Sequence, residues 1–152
     1  MSSFFDYGGD ASQSGREEFV LFAGRDSSDW ETLIGYTERR RFARGETVVA
    51  SGDEDRSLYV LTNGTLEVLV ATRRGSKRTG LMEAGAVFGE VSFFDGRPRS
   101  ATVRGASDGE VLRLAYDDYE SMAARHPELG RALVVELGEL LARRLRAVEQ
   151  RL

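Results

Sequence analysis

The chain has 152 residues, a formal net charge of -4, 41% hydrophobic residues and no cysteine. This size and composition are typical of one compact domain, and the acidic balance disfavours a nucleic acid as partner. The absence of cysteine excludes disulfides, thiolate metal sites and thiol nucleophiles. We find neither a secretory signal nor a run of about 18 apolar residues, so we expect a cytoplasmic protein without a membrane partner.

Residues 1–15 are predicted to form a flexible N-terminal segment, because glycines stand among Ser and Asp there without an apolar period. The aromatic residues of this segment leave open a docking role. We assign residues 16–152 to a single domain. Within it, Ser28 followed by Asp29, Trp30 and Glu31 predicts the start of a short helix.

From Tyr36 the apolar pattern changes to a period of two, which predicts short strands. The predicted strands cover residues 36–42, 47–50, 58–62, 65–72, 81–82, 101–104 and 110–114. Asn63-Gly64 predicts a two-residue hairpin loop. A basic hairpin tip at residues 73–78 is interpreted as a solvated turn rather than a phosphate or partner site. The pattern is typical of an antiparallel barrel or sandwich over about residues 36–115.

Helical patterns follow the strands. Asp117 with Glu120 three residues later predicts a capping box and a helix over about residues 117–126. Pro127 is expected to open a longer helix over about residues 128–152. His126, the single histidine, is interpreted as a residue of the helix junction, and it cannot form a histidine-rich metal site alone.

The last helix carries a stripe of apolar residues at spacings of three and four: Val134, Leu137, Leu141, Leu145, Val148 and Leu152. Such a stripe packs either on the chain's own barrel or on a second copy. We favour a homodimer through this helix, because the stripe continues to the last residue.

The segment Phe88 to Val103 combines an acid and an arginine around a glycine-containing turn. A buried phosphate diester needs a cation and several directed donors, and Arg99 offers a bidentate fork. Backbone N–H groups of Gly89, Glu90 and Ala101 and the hydroxyl of Ser100 are candidate further donors. The Glu90 carboxylate accepts hydrogen bonds and suits a ribose hydroxyl.

This segment resembles the phosphate-binding cassette of the cyclic-nucleotide-binding domain family. The pattern F-G-E stands at Phe88-Gly89-Glu90, and R-S-A-T-V stands at residues 99–103 after eight intervening residues, Val91 to Pro98. The P-R pair before Ser100 is similar to the kinase-regulatory-subunit version. Residues 40–48, 51–53, 57–61 and 63–68 are also similar to the family's barrel strands, so the likeness covers about residues 26–152.

The resemblance implies a mainly β fold: an eight-stranded jelly-roll barrel with an N-terminal helix, a cassette helix between late strands and two C-terminal helices. It also implies that Arg99 pairs with the cyclic phosphate and Glu90 with the ribose 2′-hydroxyl. The expected ligand-binding residues are Phe88, Gly89, Glu90, Val91, Ser92, Arg99, Ser100 and Ala101. A residue that contacts the base is expected on the last helix, but no motif identifies it.

Cyclic AMP is the expected ligand and cyclic GMP the alternative, because Ser100 can donate or accept a hydrogen bond. We expect a non-enzymatic sensor without a metal that signals to an unidentified protein partner. Direct DNA binding is not expected, since the chain ends before a helix-turn-helix. A ligand-independent interaction or dimerisation domain on the same barrel is the main alternative, and an enzyme is disfavoured by the absence of a catalytic set of residues.

Overall fold

The computed structural model describes residues 21–150. The predicted flexible segment 1–15 and Leu152, the last member of the apolar stripe, lie outside the described residues. The elements in chain order are α1 (Ser27–Gly35), β1 (Glu38–Phe42), β2 (Thr47–Val49), β3 (Leu58–Asn63), β4 (Leu66–Thr72), β5 (Gly75–Met82), β6 (Val87–Phe88), α2 (Glu90–Asp95), β7 (Thr102–Gly105), β8 (Gly109–Leu114), α3 (Tyr116–Arg125) and α4 (Pro127–Gln150).

The eight strands form two antiparallel sheets of four strands, in the orders β1-β8-β3-β6 and β2-β7-β4-β5. Alternate residues of each strand point inward, so apolar side chains of both sheets share one interior. That interior contains Phe42, Val48, Val49, Tyr59, Leu61, Leu66, Val68, Met82, Phe88, Ala101, Val103 and Val111. The predicted jelly-roll barrel with flanking helices is therefore confirmed.

A second core lies where the helices meet one side of the barrel. It includes Leu33 of α1, Phe93 of α2, Met122 of α3 and Leu133 of α4, all at most 2% exposed. Leu21 and Phe22, which precede α1, are also buried in this core, and the Phe22 backbone N–H donates to Glu136 Oε1 at 2.7 Å. Their burial could not be predicted from hydrophobic periodicity, because the two residues belong to no periodic element.

The predicted two-residue hairpin at Asn63-Gly64 is wrong. β3 and β4 lie in different sheets, so the chain crosses between sheets here instead of returning along a paired strand. Only Gly64 has a positive φ, of 87°, whereas the predicted loop requires it at both residues. An added Cβ on Gly64 would lie 2.4 Å from the carbonyl oxygen of Asp108, so close packing of the backbone requires this glycine.

Two other predicted boundaries change. The basic tip is shorter than residues 73–78, because Thr72 pairs with Gly75 and β5 begins there; the residues from 73 to 78 are all exposed. α3 begins at Tyr116 with Ala115 as its N-cap and without a capping side chain, so the predicted capping box of Asp117 is wrong. Asp117 instead lies in the first turn, where an acid favours the helix dipole.

The apolar residues of α4 divide between two faces. Leu129, Leu133, Leu137 and Leu140 are buried against the chain itself. Of the predicted stripe, only Leu137 belongs to this buried face; Val134, Leu141 and Val148 are half-buried and Leu145 is 43% exposed. The first half of α4 is thus a core element of its own domain. Among residues 21–150, no helix is long and apolar enough to cross a membrane.

Candidate functional site

The cassette turn is built around Gly89, which caps the N-terminus of α2 in a left-handed conformation with φ 84°. A Cβ at this position would lie 2.9 Å from both Arg99 Nη1 and the carbonyl oxygen of Ser57. Both the backbone conformation and the space therefore require glycine. The turn brings α2 and the arginine of the cassette into direct contact.

Arg99 is only 5% exposed although it carries a permanent charge. Its Nη1 donates to the carbonyl of Gly89 at 2.9 Å and its Nη2 to the carbonyl of Ser57 at 2.5 Å. Its backbone is also fixed, because its N–H donates to the carbonyl of Asp53 and its carbonyl accepts from the N–H of Gly52. Within residues 21–150, Nε of Arg99 is buried and has no hydrogen-bond partner. The guanidinium of Arg99 is therefore held in a fixed position and shielded from solvent.

Asp55 supplies the negative charge nearest to this guanidinium. Its Oδ2 lies 3.4 Å from Arg99 Nη2 and accepts from the Tyr59 hydroxyl at 2.8 Å, and its Oδ1 accepts from the Ser57 N–H at 3.0 Å. Burial alone raises the pKa of Asp55, but the hydrogen bonds from Ser57 and Tyr59 and the charge of Arg99 outweigh it and lower the pKa to about 2. Asp55 is therefore ionised at neutral pH.

Glu90, the acid of the cassette, is 1% exposed at the start of α2. Its Oε1 lies 2.6 Å from Nη1 of Arg144, which extends from α4, while Nη2 of Arg144 donates to the carbonyl of Val87 at 2.8 Å. Within the described part of the chain, Oε2 of Glu90 accepts no hydrogen bond. The last helix is thus joined to the cassette by a buried ion pair, and the other carboxylate oxygen of Glu90 is buried without a hydrogen bond within residues 21–150.

The cassette helix also packs on α3 through aromatic side chains. The Phe93 ring centroid lies 5.3 Å from that of Tyr116 and 5.2 Å from that of Tyr119, in edge-to-face arrangements. Arg56 lies 3.7 Å above the Tyr116 ring, and its Nη2 donates to the carbonyls of Phe93 and Phe94 at the end of α2. A displacement of α2 would therefore act on both C-terminal helices.

Residues 39–126, more than half of the chain, match the family model of the cyclic nucleotide-binding domain. The chain belongs to the cyclic nucleotide-binding domain family. As such, it is a cyclic nucleotide-binding regulatory domain. The family model covers a shorter stretch than the expected 26–152, which includes α1 and α4.

Similar proteins include two long regulators and one solved domain. The cyclic AMP receptor protein of Thermus thermophilus is 32% identical over 85% of this chain and 58% of its own length. The cAMP-dependent protein kinase regulatory subunit of Mycosarcoma maydis is 33% identical over 62% of this chain and 18% of its own. A cyclic nucleotide-binding domain from Methylobacillus flagellatus has a TM-score of 0.79 at 26% identity, covering 89% of this chain and 76% of that one. This cyclic nucleotide-binding domain therefore spans less than two thirds of the length of the first regulator and less than a fifth of the second.

The eight predicted ligand-binding residues of this cyclic nucleotide-binding domain lie around one turn, but they differ in exposure. Phe88 is buried and stacks on Tyr59, with ring centroids 5.0 Å apart. The other members are Gly89, Glu90, Ser92, Arg99 and Ala101, which are buried, Val91, which is half-buried, and Ser100, which is exposed. Gly89 and Arg99 are in direct contact, whereas Glu90 forms its ion pair with Arg144.

The predicted site residues did not include Asp55, Arg56 and Arg144. Arg144 follows Leu137 and Leu140 at spacings of seven and four and so shares their face. A buried acid in the cassette also requires a cation nearby. These two signals together would have identified Arg144; no comparable signal identifies Asp55.

Proposed function

We propose that this chain is a non-enzymatic sensor of cyclic AMP. The observation that carries the proposal is the buried guanidinium of Arg99, held in contact with Gly89 within the family's cassette motif. The names of the two similar regulators, which refer to cyclic AMP, support cyclic AMP as the ligand; cyclic GMP is the alternative. No metal takes part in this proposal.

The cyclic phosphate binds to Arg99 through its fork of N–H groups and replaces the carbonyls of Gly89 and Ser57 as acceptors. Ser100 and the N–H groups of Gly89 and Ala101 donate to the remaining phosphate oxygens. Glu90 accepts from the ribose 2′-hydroxyl with Oε2, the oxygen without a hydrogen bond within residues 21–150. The ribose hydroxyl can donate a hydrogen bond to this oxygen while Oε1 keeps its ion pair with Arg144.

Titration calorimetry with cyclic AMP and cyclic GMP tests this proposal. We expect saturable binding of cyclic AMP to the wild type and a loss of at least about a hundredfold in Arg99→Gln, because a buried phosphate then lacks its cation. Arg97→Gln is the matched control, since Arg97 is an exposed arginine in the same turn. Absence of heat with either nucleotide at millimolar concentration, in a folded wild type, would refute the proposal.

We propose further that α4 transmits binding to a protein partner or a second copy. Arg144 contacts both Glu90 and the carbonyl of Val87, so a ligand that engages Glu90 changes the contacts of α4. A ligand shifts a conformational equilibrium only by binding the two states differently, and a hydroxyl on Oε2 would do so by changing the position of the carboxylate that Arg144 holds through Oε1.

The proposed dimer uses a second face of α4, the seam face, whose residues are exposed or only half-buried. Val134, Gly138, Leu141, Leu145 and Val148 follow one another at spacings of four and three, the pattern of a coiled-coil seam. A Cβ added at Gly138 would meet no atom within 4 Å, so a neighbouring helix has access there. This seam lies beside Arg144, which joins the proposed interface to the cassette.

A ligand-independent interaction domain is the second candidate, because two backbone carbonyls and Asp55 contact the Arg99 guanidinium within the chain itself. On that account Arg99 is a structural residue. It predicts that wild type and Arg99→Gln bind a partner equally and that neither responds to cyclic AMP. The sensing account predicts a response to cyclic AMP that the variant lacks.

A further inference from the structure

Four charged side chains of alternating sign form a line from the cassette to β1, an edge strand of the sheet β1-β8-β3-β6. Asp55 Oδ2 lies 3.4 Å from Arg99 Nη2, and Asp55 Oδ1 lies 3.5 Å from Arg113 Nη2. Arg113 Nη1 in turn lies 3.8 Å from Glu38 Oε2. Arg113 belongs to β8 and Glu38 to β1, at paired positions of the two strands. One carboxylate thus stands between two guanidinium groups.

Exposure rises steadily along this line. The side chain of Arg99 is 4% exposed, those of Asp55 and Arg113 are 28% and 29% exposed, and that of Glu38 is 64% exposed. The outer part of the line borders a cleft of about 390 Å³ that is also lined by Arg40. Charges interact most strongly where solvent is excluded, so the contact between Arg99 and Asp55 is the least screened of the three.

The two oxygens of Asp55 have separate partners. Oδ2 faces Arg99 and the Tyr59 hydroxyl, whereas Oδ1 faces Arg113 and the Ser57 N–H. A phosphate bound to Arg99 would lie close to this carboxylate, and two anions repel each other. The repulsion is smaller when a second cation neutralises the carboxylate, and Arg113 is placed to do so.

We propose that Asp55 competes with the cyclic phosphate for Arg99 and that Arg113 weakens this competition by holding the same carboxylate. The inference rests on the proposed function, because it sets the affinity of that site. Asp55 and Arg113 are positioning residues that act through Arg99. Their balance determines how tightly a cyclic nucleotide phosphate binds.

A double-mutant cycle tests the inference. Cyclic AMP is titrated into the wild type, Arg113→Gln, Asp55→Asn and the variant with both changes. We expect Arg113→Gln to weaken binding about tenfold, a size common for charged groups in contact. Asp55→Asn is expected to bind at least as tightly as the wild type. In the Asp55→Asn background, Arg113→Gln is expected to have no effect.

A merely structural role of Arg113 predicts a different result, because its removal would then weaken binding equally with and without Asp55. That result, or unchanged affinity in Arg113→Gln, would overturn the inference. Arg39→Gln is the control for the change in net charge, since Arg39 also lies on the β1–β8 pair and contacts Glu110. Its affinity is expected to equal that of the wild type.

Two further outcomes remain decisive. If Arg113→Gln does not fold, as judged by circular dichroism, Asp55→Asn decides alone, and weaker binding than the wild type overturns the inference. If the folded wild type binds no cyclic nucleotide, the proposed function itself fails and this inference with it. Binding by the wild type with no coupling between Arg113 and Asp55 refutes only the inference.

Discussion

Gly89 has no room for a side chain, because the guanidinium of Arg99 and the carbonyl of Ser57 occupy that position. We predict that Gly89→Ala lowers the free energy of unfolding by about 1–3 kcal/mol, from the left-handed backbone and the displaced Arg99. Urea unfolding measures this loss. Gly35→Ala is the control, since Gly35 has a negative φ and open space around it. Equal stability of the two variants would contradict the role assigned to Gly89.

Asp55 makes stability depend on pH in the acidic range. Its pKa falls from 3.8 to about 2 on folding, so the ionised form contributes stability above about pH 4. This contribution disappears as the pH falls toward 2. We predict that Asp55→Asn costs about 2 kcal/mol at pH 6 and progressively less below pH 4. Urea unfolding between pH 6 and pH 2.5 checks this. A difference that stays constant across this pH range would contradict the assignment.

The cassette residues could be identified from the sequence because they are close together in the chain. Gly89 and Arg99 are ten residues apart, and local turn chemistry brings them into contact. Asp55 and Arg144 reach the same site from distant elements, through contacts that only the barrel and α4 create. The sequence pattern therefore predicted that the Glu90 carboxylate suits a ribose, but it did not predict that Arg144 is the cation paired with this carboxylate.

α4 contacts the cassette through Arg144, and this contact forms only when α4 is packed in place. We predict that Arg144→Gln lowers the free energy of unfolding by about 3 kcal/mol, because the buried Glu90 carboxylate then lacks its cation. Adding Glu90→Gln should recover part of the loss. Arg146→Gln, on an exposed position of the same helix, is the control. Thermal or urea unfolding measures all of these, and a loss below about 0.5 kcal/mol would show that the pair is not formed.

The seam face of α4, which runs from Val134 to Val148, predicts the oligomeric state. A charge in an apolar helix seam is unfavourable, so Leu145→Glu is expected to convert the proposed dimer to monomer. Val135→Glu is the matched control, because Val135 is also exposed but does not follow the spacing of the seam. Sedimentation velocity distinguishes the two. A monomeric wild type at high micromolar concentration would contradict the proposed dimer.

Elements with a clear period were predicted well, and the errors arise from tertiary pairing or from elements too short to show a period. Asn63-Gly64 carries a strong local signal for a hairpin, yet the strands beside it pair with other partners. β6 has two residues and therefore no period to detect. In α4, the predicted stripe combined Leu137, which lies on the core face, with residues of the seam face. Spacings of three and four residues are compatible with either face.

Across the whole molecule, the cassette helix is the point where the barrel meets both C-terminal helices. Phe93 packs on the tyrosines of α3, and Glu90 pairs with Arg144 of α4. A ligand that binds between Arg99 and Glu90 therefore acts on contacts of both helices. We propose that cyclic AMP changes the contacts of α4 through this cassette.

Amide hydrogen exchange of α2 and α4, with and without cyclic AMP at a concentration that saturates binding by calorimetry, tests this claim most directly. Exchange reports local opening, which contacts such as the Glu90–Arg144 pair control. We predict that cyclic AMP changes exchange in α2 and in residues 137–150 of the wild type and leaves Arg99→Gln unchanged. Saturated binding to the wild type with unaltered exchange in α4 would contradict the account.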